Sequence, residues 1–172
     1  MNQYRNFEVF LVQWFGYLAI AVTLLFSQLI IINFLPPPGN FIQAIWVVVP
    51  SIVLLNRFRL ALGLTAVFYL YLELLSGNPF GLLTTVGVVS LIMVERLYRT
   101  VLTNRSVYTV AALAVAGTVL SRFLSVVFLL IAGGVTGAQV SDQLLMLAGE
   151  IFLNMVLASM IFLFLSIYEK KN

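Results

Sequence analysis

The sequence contains no cysteine and no histidine, and only 9% of its 172 residues are charged. The missing cysteines exclude disulfides and thiolate chemistry, and the missing histidines remove the commonest general base and metal ligand. Soluble domains carry roughly 25% charged residues. A chain with 62% hydrophobic residues and a mean hydropathy of +1.10 has too little polar surface for that class. The composition predicts an integral membrane protein without metal or cofactor, and it argues against metal-dependent and acyl-transfer enzymes.

Long apolar runs dominate the chain, and several approach or exceed the ~20 residues that cross a ~30 Å hydrocarbon core. The runs are continuous rather than alternating, which favours helices over a β-barrel. We therefore predict an all-α, polytopic membrane protein with one domain over residues 1–172. Its six predicted transmembrane helices cover residues 7–35, 41–55, 60–75, 79–94, 107–132 and 144–168. The first run is longer than the apolar part of a secretory signal and is expected to remain as a span.

Basic residues are confined to alternate connections between these spans. Eight of the nine fall on one side: Arg5, Arg57, Arg59, Arg96, Arg99, Arg105, Lys170 and Lys171. By the positive-inside rule this side is cytoplasmic, together with both termini. The distribution explains the net charge of +3 without a nucleic-acid partner. Residues 96–105 could also engage anionic lipid or a cytoplasmic partner, but orientation alone accounts for their charge.

Apart from Glu8 at the very start of the first span, three charged residues lie inside predicted spans: Glu73, Arg122 and Glu150. Charged groups are costly at this depth, so the long Arg122 side chain is expected to pair with Glu150, Glu73 or both. One interpretation is a structural ion pair that holds helices in register. The other is a binding site that opens to the outer face.

Small and polar residues recur at intervals of four on the last two predicted spans. Span five presents Gly117, Ser121 and Ser125, and span six presents Glu150, Asn154 and Ala158. We expect these two faces to meet around Arg122 because small residues let helices approach closely. Four aromatic residues either line an outward pocket or anchor span ends at the membrane interface: Tyr17, Trp46, Tyr69 and Tyr71.

The segment 68–81 combines an acidic residue with a dense turn signal. Gly77 suits the left-handed end of a helix, Asn78 suits the cap of the next helix, and Pro79 suits its first turn. Two antiparallel helices should therefore meet at a tight corner. Glu73 lies one turn before this corner, so its carboxylate should lie near the free N–H groups that begin the second helix.

This corner resembles the signature of the rod-shape-determining MreD family of bacteria. The resemblance is carried by residues 71–81, with Glu73, Pro79, Phe80 and Gly81, and by a basic loop some fourteen residues later. The family pattern has Asp where this chain has Glu73. The resemblance implies a non-enzymatic scaffold in the bacterial inner membrane that regulates cell shape and peptidoglycan synthesis. Its implied partners are the single-span protein MreC and, indirectly, MreB and the peptidoglycan synthases.

A second function remains open, because the MreD fold is similar to the six-helix substrate-binding subunits of energy-coupling-factor vitamin transporters. That likeness implies a small-molecule binder with an outward-facing site. An intramembrane enzyme is disfavoured, since no His, Cys, paired Asp or Ser/Lys constellation occurs within the spans. The candidate residues for a partner site or polar core are Glu73, Asn78, Pro79, Gly81, Arg122, Glu150 and Asn154.

Overall fold

A computed structural model of the chain describes residues 22–24, 26–28, 30, 43–76, 80–102, 104–131 and 137–169, with side chains of residues 147–164 in the last segment. All regular secondary structure in these ranges is helical, which confirms the all-α prediction. The five helices with complete bounds are α1 (Ala44–Leu54), α2 (Phe58–Ser76), α3 (Leu82–Thr100), α4 (Val107–Ile131) and α5 (Gly137–Glu169). The described residues of the first predicted span, at 22–30, are also helical.

Among the residues that the structure describes, three helical segments are long and apolar enough to cross a membrane, judged by length and composition. These segments are Phe58–Ser76, Val107–Phe128 and Leu147–Phe164. They support the prediction of a membrane protein, whereas the count of six spans is not confirmed.

Two predicted spans differ from the observed helices. The predicted span 41–55 corresponds to α1, whose eleven residues extend about 16 Å and are too short to cross a bilayer alone. The predicted span 79–94 begins later and ends later, as α3 over Leu82–Thr100. Residues 95–100 of the predicted basic loop 95–105 form the last part of this helix, where Glu95 and Arg99 form an ion pair one turn apart at 2.6 Å.

The α1–α2 connection is a tight turn with a clear sequence cause. Asn56 has a left-handed backbone with φ of 56°, and asparagine tolerates this conformation better than most residues. The Asn56 N–H donates to the Val53 carbonyl at 2.9 Å, and the Arg57 N–H donates to the Ile52 carbonyl at 3.3 Å. This pair of bonds is a Schellman motif. It ends α1 where the sequence predicted the end of the second span.

The helix α1 lies at the centre of the described bundle. It packs against α2, α4 and α5, while α3 packs against α2 and α4, and α4 packs against α5. Nine of its eleven residues are buried. The surrounding core combines aliphatic and aromatic side chains, among them Ile45, Val49, Leu54, Phe68, Leu91, Val94, Val110 and Leu113. Burial on every side fits a helix that is apolar all round.

The connections divide the bundle into two ends. The α1–α2 and α3–α4 turns lie together at one end, with five exposed arginines: Arg57, Arg59, Arg96, Arg99 and Arg105. We call this the arginine end. The α2–α3 corner, the start of α1 and the C-terminus of α4 lie at the opposite end, which we call the corner end. All described candidate residues lie toward the corner end.

Candidate functional site

The Glu73 carboxylate completes the first turn of α3. The Leu83 N–H donates to Glu73 Oε1 at 2.9 Å, and the Thr84 hydroxyl donates to Oε2 at 2.7 Å. The N–H groups of a first helical turn have no partner within the helix and carry partial positive charge, so an anion is favoured there. Glu73 is buried with 3% exposure. The predicted position of this carboxylate is therefore confirmed, and its role is to join α2 to α3.

The start of α3 differs from the sequence prediction. The residue that precedes the helix is Gly81, in a left-handed conformation with φ of 90° and without a side-chain cap. The prediction gave the cap to Asn78 and the first turn to Pro79, two residues that lie outside the described ranges. Glycine adopts positive φ without strain, so Gly81 directs the chain into α3. A carboxylate from α2 then replaces the local cap.

The α2–α3 corner presents apolar side chains on its outer surface. Leu74 and Leu75 at the end of α2 are 68% and 57% exposed, and Phe80 beside Gly81 is 80% exposed. Exposed apolar side chains are ordinary on a surface that faces lipid or a partner helix. This patch, which we call the corner patch, consists of Leu74, Leu75 and Phe80, and it lies beside the bonds that join Glu73 to α3.

Arg122 pairs with Glu150 and not with Glu73. Arg122 Nε donates to Glu150 Oε2 at 2.8 Å, and the Arg122 and Glu150 side chains are 35% and 1% exposed. The sequence left the choice of partner open, and the structure resolves it because Glu73 is committed to α3. Within the described part of the chain, Glu150 Oε1 has no hydrogen-bond partner. The ion pair therefore uses one oxygen of the carboxylate and one edge of the guanidinium.

Asn154 links three helices. Its Nδ2 donates to the Thr118 hydroxyl of α4 at 3.0 Å, and its Oδ1 accepts the Gln43 N–H at the start of α1 at 3.1 Å. The next free donor of α1, the Ala44 N–H, binds Gln28 Oε1 at 2.7 Å. Two amide side chains from elsewhere in the chain thus satisfy two N–H groups at the beginning of α1 that have no partner within the helix.

The small-residue face of α4 receives a different neighbour from the one predicted. A Cβ atom at Gly117 would fall within the indole of Trp46, so this glycine accommodates α1 and not α5. The Trp46 Nε1–H lies 3.0 Å from both the Tyr69 hydroxyl and Ser121 Oγ. The bulk of an indole on the short α1 fills the gap that small residues leave. The helices α4 and α5 do meet as predicted, but through the neighbouring face of α4, which carries Thr118 and Arg122.

The four aromatic residues that were predicted to line a pocket or to anchor span ends have different surroundings. Trp46 is 0% and Tyr69 6% exposed, and they bind each other, so both belong to the core. Tyr71 is partly buried on α2, and Tyr17 lies outside the described residues. The sequence analysis missed Gln28, Gln43, Thr84 and Thr118. Uncharged polar residues within apolar runs were the available signal, since such residues need partners in a membrane.

Groups of three or more acidic side chains that could hold a metal ion do not occur among the described residues. Comparisons with protein-family models, curated proteins and solved structures yield no match. The resemblance to the MreD family therefore stays a prediction from the corner motif.

Proposed function

We propose that this protein is a non-enzymatic membrane scaffold that holds a single-span partner, in the manner implied by its resemblance to MreD. In that setting it would regulate cell shape and peptidoglycan synthesis from the bacterial inner membrane. MreC-type proteins are the direct partners, and MreB and the synthases follow through them.

The observation that supports this proposal is the construction of the corner. The Glu73 carboxylate holds α2 and α3 together from within, while the corner patch presents Leu74, Leu75 and Phe80 outward. An apolar surface beside a hydrogen-bonded helix junction is partly ordered before binding, which lowers the entropy that binding must overcome. The described residues of the segment that carries the family resemblance thus present an apolar surface suited to a partner helix.

The scaffold proposal is tested by co-purification of the single-span partner from native membranes after crosslinking. Phe80→Ala should reduce recovery of the partner because it removes the most exposed side chain of the corner patch. Phe164→Ala is the matched control, since Phe164 is 73% exposed on α5 toward the arginine end. Equal recovery with both variants, at unchanged protein level, would contradict a partner site at the corner.

The same proposal includes six spans with the arginine end in the cytoplasm. Five described arginines share that end, as the positive-inside rule requires. A periplasmic reporter fused after Gly77 or Gly137 should be active, and one fused after Asn104 should be inactive. Activity after Asn104 would reverse the orientation.

The second candidate is the substrate-binding subunit of a vitamin transporter. It is favoured by the incompletely bonded Arg122–Glu150 pair near the corner end. It is opposed by the close packing around α1, where Trp46 lies directly against Gly117 of α4. Tight retention of a small vitamin by the purified protein, together with unchanged partner recovery in Phe80→Ala, would favour this candidate over the scaffold.

A further inference from the structure

Two exposed arginines lie at the arginine end of the neighbouring helices α2 and α3. Arg59 is exposed in the first turn of α2, and Arg99 is 70% exposed in the last turn of α3. In the part of the chain that the structure describes, the Arg59 side chain makes no hydrogen bond or ion pair. Arg99 is held by Glu95 through one Nη group, which leaves its other N–H groups free. Both guanidinium groups therefore have donors available to an anion.

The packing of α2 against α3 places these two arginines at nearly the same level. A Cβ atom at Gly87 would overlap the Tyr69 ring, so these two residues face each other across the antiparallel helices. Arg59 lies ten residues before Tyr69, and Arg99 lies twelve residues after Gly87. At 1.5 Å per residue, the two arginines differ by only about 3 Å along the helix axes. Packed helix axes are about 8–10 Å apart, so two long side chains reach one headgroup if they share a side.

The two arginines do share a side of the helix pair. Each residue turns an α-helix by about 100°, clockwise when α2 is viewed from the arginine end and counterclockwise for the antiparallel α3. Arg59 therefore projects about 80° clockwise from Tyr69, and Arg99 about 120° counterclockwise from Gly87. Because Tyr69 and Gly87 point at each other, both rotations lead to the same outer side. Arg96, nine residues after Gly87, projects about 180° from it and so points away from α2.

The surface beside the two arginines is an apolar groove with open space in it. Gly63 lies one turn from the arginine on α2, is exposed, and has no atom within 4 Å of where a Cβ would lie. Ile92 of α3, at the same level, is 40% exposed, and Val67 and Leu70 continue the exposed face of α2. The helix segment Phe58–Ser76 is long and apolar enough to cross a membrane. The groove thus leads from two cations directly onto membrane-facing apolar surface.

We propose that Arg59 and Arg99 form a binding site for a phospholipid with net negative charge, on the outer groove between α2 and α3. The guanidinium groups bind the phosphate, for which the planar fork of arginine is well matched. Glu95 fixes the direction of Arg99. An acyl chain lies in the groove over Gly63. A lipid fits better than an acidic protein because the apolar surface begins one turn below the charges. This site is independent of the scaffold role and of the corner patch.

The charges predict a preference among lipid headgroups. A zwitterionic lipid brings an ammonium group that both arginines repel, and the neighbouring Glu95 is already paired. A glycerol headgroup has the phosphate without the cation. One arginine near an anionic lipid is worth about a factor of five in affinity. The purified protein should therefore bind phosphatidylglycerol at least about fivefold more tightly than phosphatidylethanolamine with the same acyl chains. Native mass spectrometry of delipidated protein titrated with each lipid measures this ratio.

Three variants with the same change of charge assign the preference to the groove. Arg59→Gln and Arg99→Gln should each lower the affinity for phosphatidylglycerol about fivefold. Arg96→Gln is the matched control, since Arg96 is exposed at the same end of α3 but points away from the groove, and it should leave the affinity nearly unchanged. Unfolding temperatures of all variants are recorded in parallel.

The comparison of the two lipids on the unaltered protein tests the proposal without any variant, and equal binding would overturn it. Equal losses in Arg59→Gln and Arg96→Gln would also overturn it, because they would indicate the general field of the arginine end. Soluble glycerol phosphate is titrated in a separate arm and should bind more weakly than the lipid, since it has no acyl chain for the groove. Equal binding there would remove the lipid as the occupant. Tighter binding of polyglutamate, lost in Arg59→Gln, would replace the lipid by an acidic protein.

Discussion

Removal of Arg122 should destabilise the protein strongly because it strands a buried charge. In Arg122→Leu, the Glu150 carboxylate keeps its 1% exposure and loses its cation. Breaking a buried pair in this way typically costs about 3–5 kcal/mol. The carboxyl can avoid the penalty by taking up a proton, which for an ordinary glutamate at pH 7 costs about 3.7 kcal/mol. We therefore expect a loss of about 3–4 kcal/mol in the free energy of unfolding.

Removal of Glu150 should cost less, because Arg122 is one-third exposed and its long side chain can reach the boundary of the bilayer. We expect Glu150→Leu to lose about 1–2 kcal/mol, between the values for exposed and buried pairs. The double variant should be close to the unaltered protein, since two leucines replace the pair without a stranded charge. The order of stability is thus double variant, Glu150→Leu, Arg122→Leu.

A double-mutant cycle measured by SDS titration in mixed micelles checks this order. The ion pair between Glu95 and Arg99 provides the control, because Arg99 is 70% exposed and Arg99→Leu should lose no more than about 0.5 kcal/mol. A coupling energy between Arg122 and Glu150 below about 0.5 kcal/mol would refute the reasoning. Equal losses in the two single variants would refute the asymmetry that exposure predicts.

Two further predictions concern the helix contacts. Gly117→Ala should destabilise the protein by about 1–3 kcal/mol because its methyl group would overlap Trp46, whereas Gly63→Ala, with open space around it, should stabilise it by about 0.5–1 kcal/mol; unfolding of both variants under one condition measures the difference. Glu73→Ala should cost about 1–3 kcal/mol by leaving the first turn of α3 without its acceptor, and Thr84→Val should cost less because the Leu83 N–H keeps its bond; equal losses would contradict a capping role.

The sequence predicted the helical class and the position of the Glu73 carboxylate because both depend on local information. Continuous apolar runs require helices in a membrane. Glu73 is one turn from the signal that ends its helix, so its carboxylate had to lie near the free N–H groups that begin the next helix. The pairing of Arg122 was predicted as a set of alternatives. Whether Arg122 pairs with Glu73 or Glu150 depended on which of the two carboxylates binds the first turn of α3. That depends on the tertiary structure and cannot be read from local sequence.

The sequence failed where two interpretations shared one pattern. The run at 41–55 is apolar throughout, and its pattern does not show that the described helix α1 has only eleven residues and is buried among α2, α4 and α5. The small residues of α4 were assigned to α5 because both helices repeat at intervals of four. Trp46, which occupies that face, lies on α1 at a position that also fits an interface anchor.

Several polar residues within the described bundle satisfy the beginnings of helices, a use that the ion pair does not share. Glu73 supplies the acceptor for the start of α3, and Gln28 and Asn154 supply acceptors for the start of α1. Helix beginnings inside an apolar bundle cannot turn to water, so side chains from other elements must satisfy them. Arg122 and Glu150 join the middle of two helices, where no free backbone donor requires them. Their charges are therefore costly without being needed for a helix end, which is why replacing both by leucine is expected to cost little.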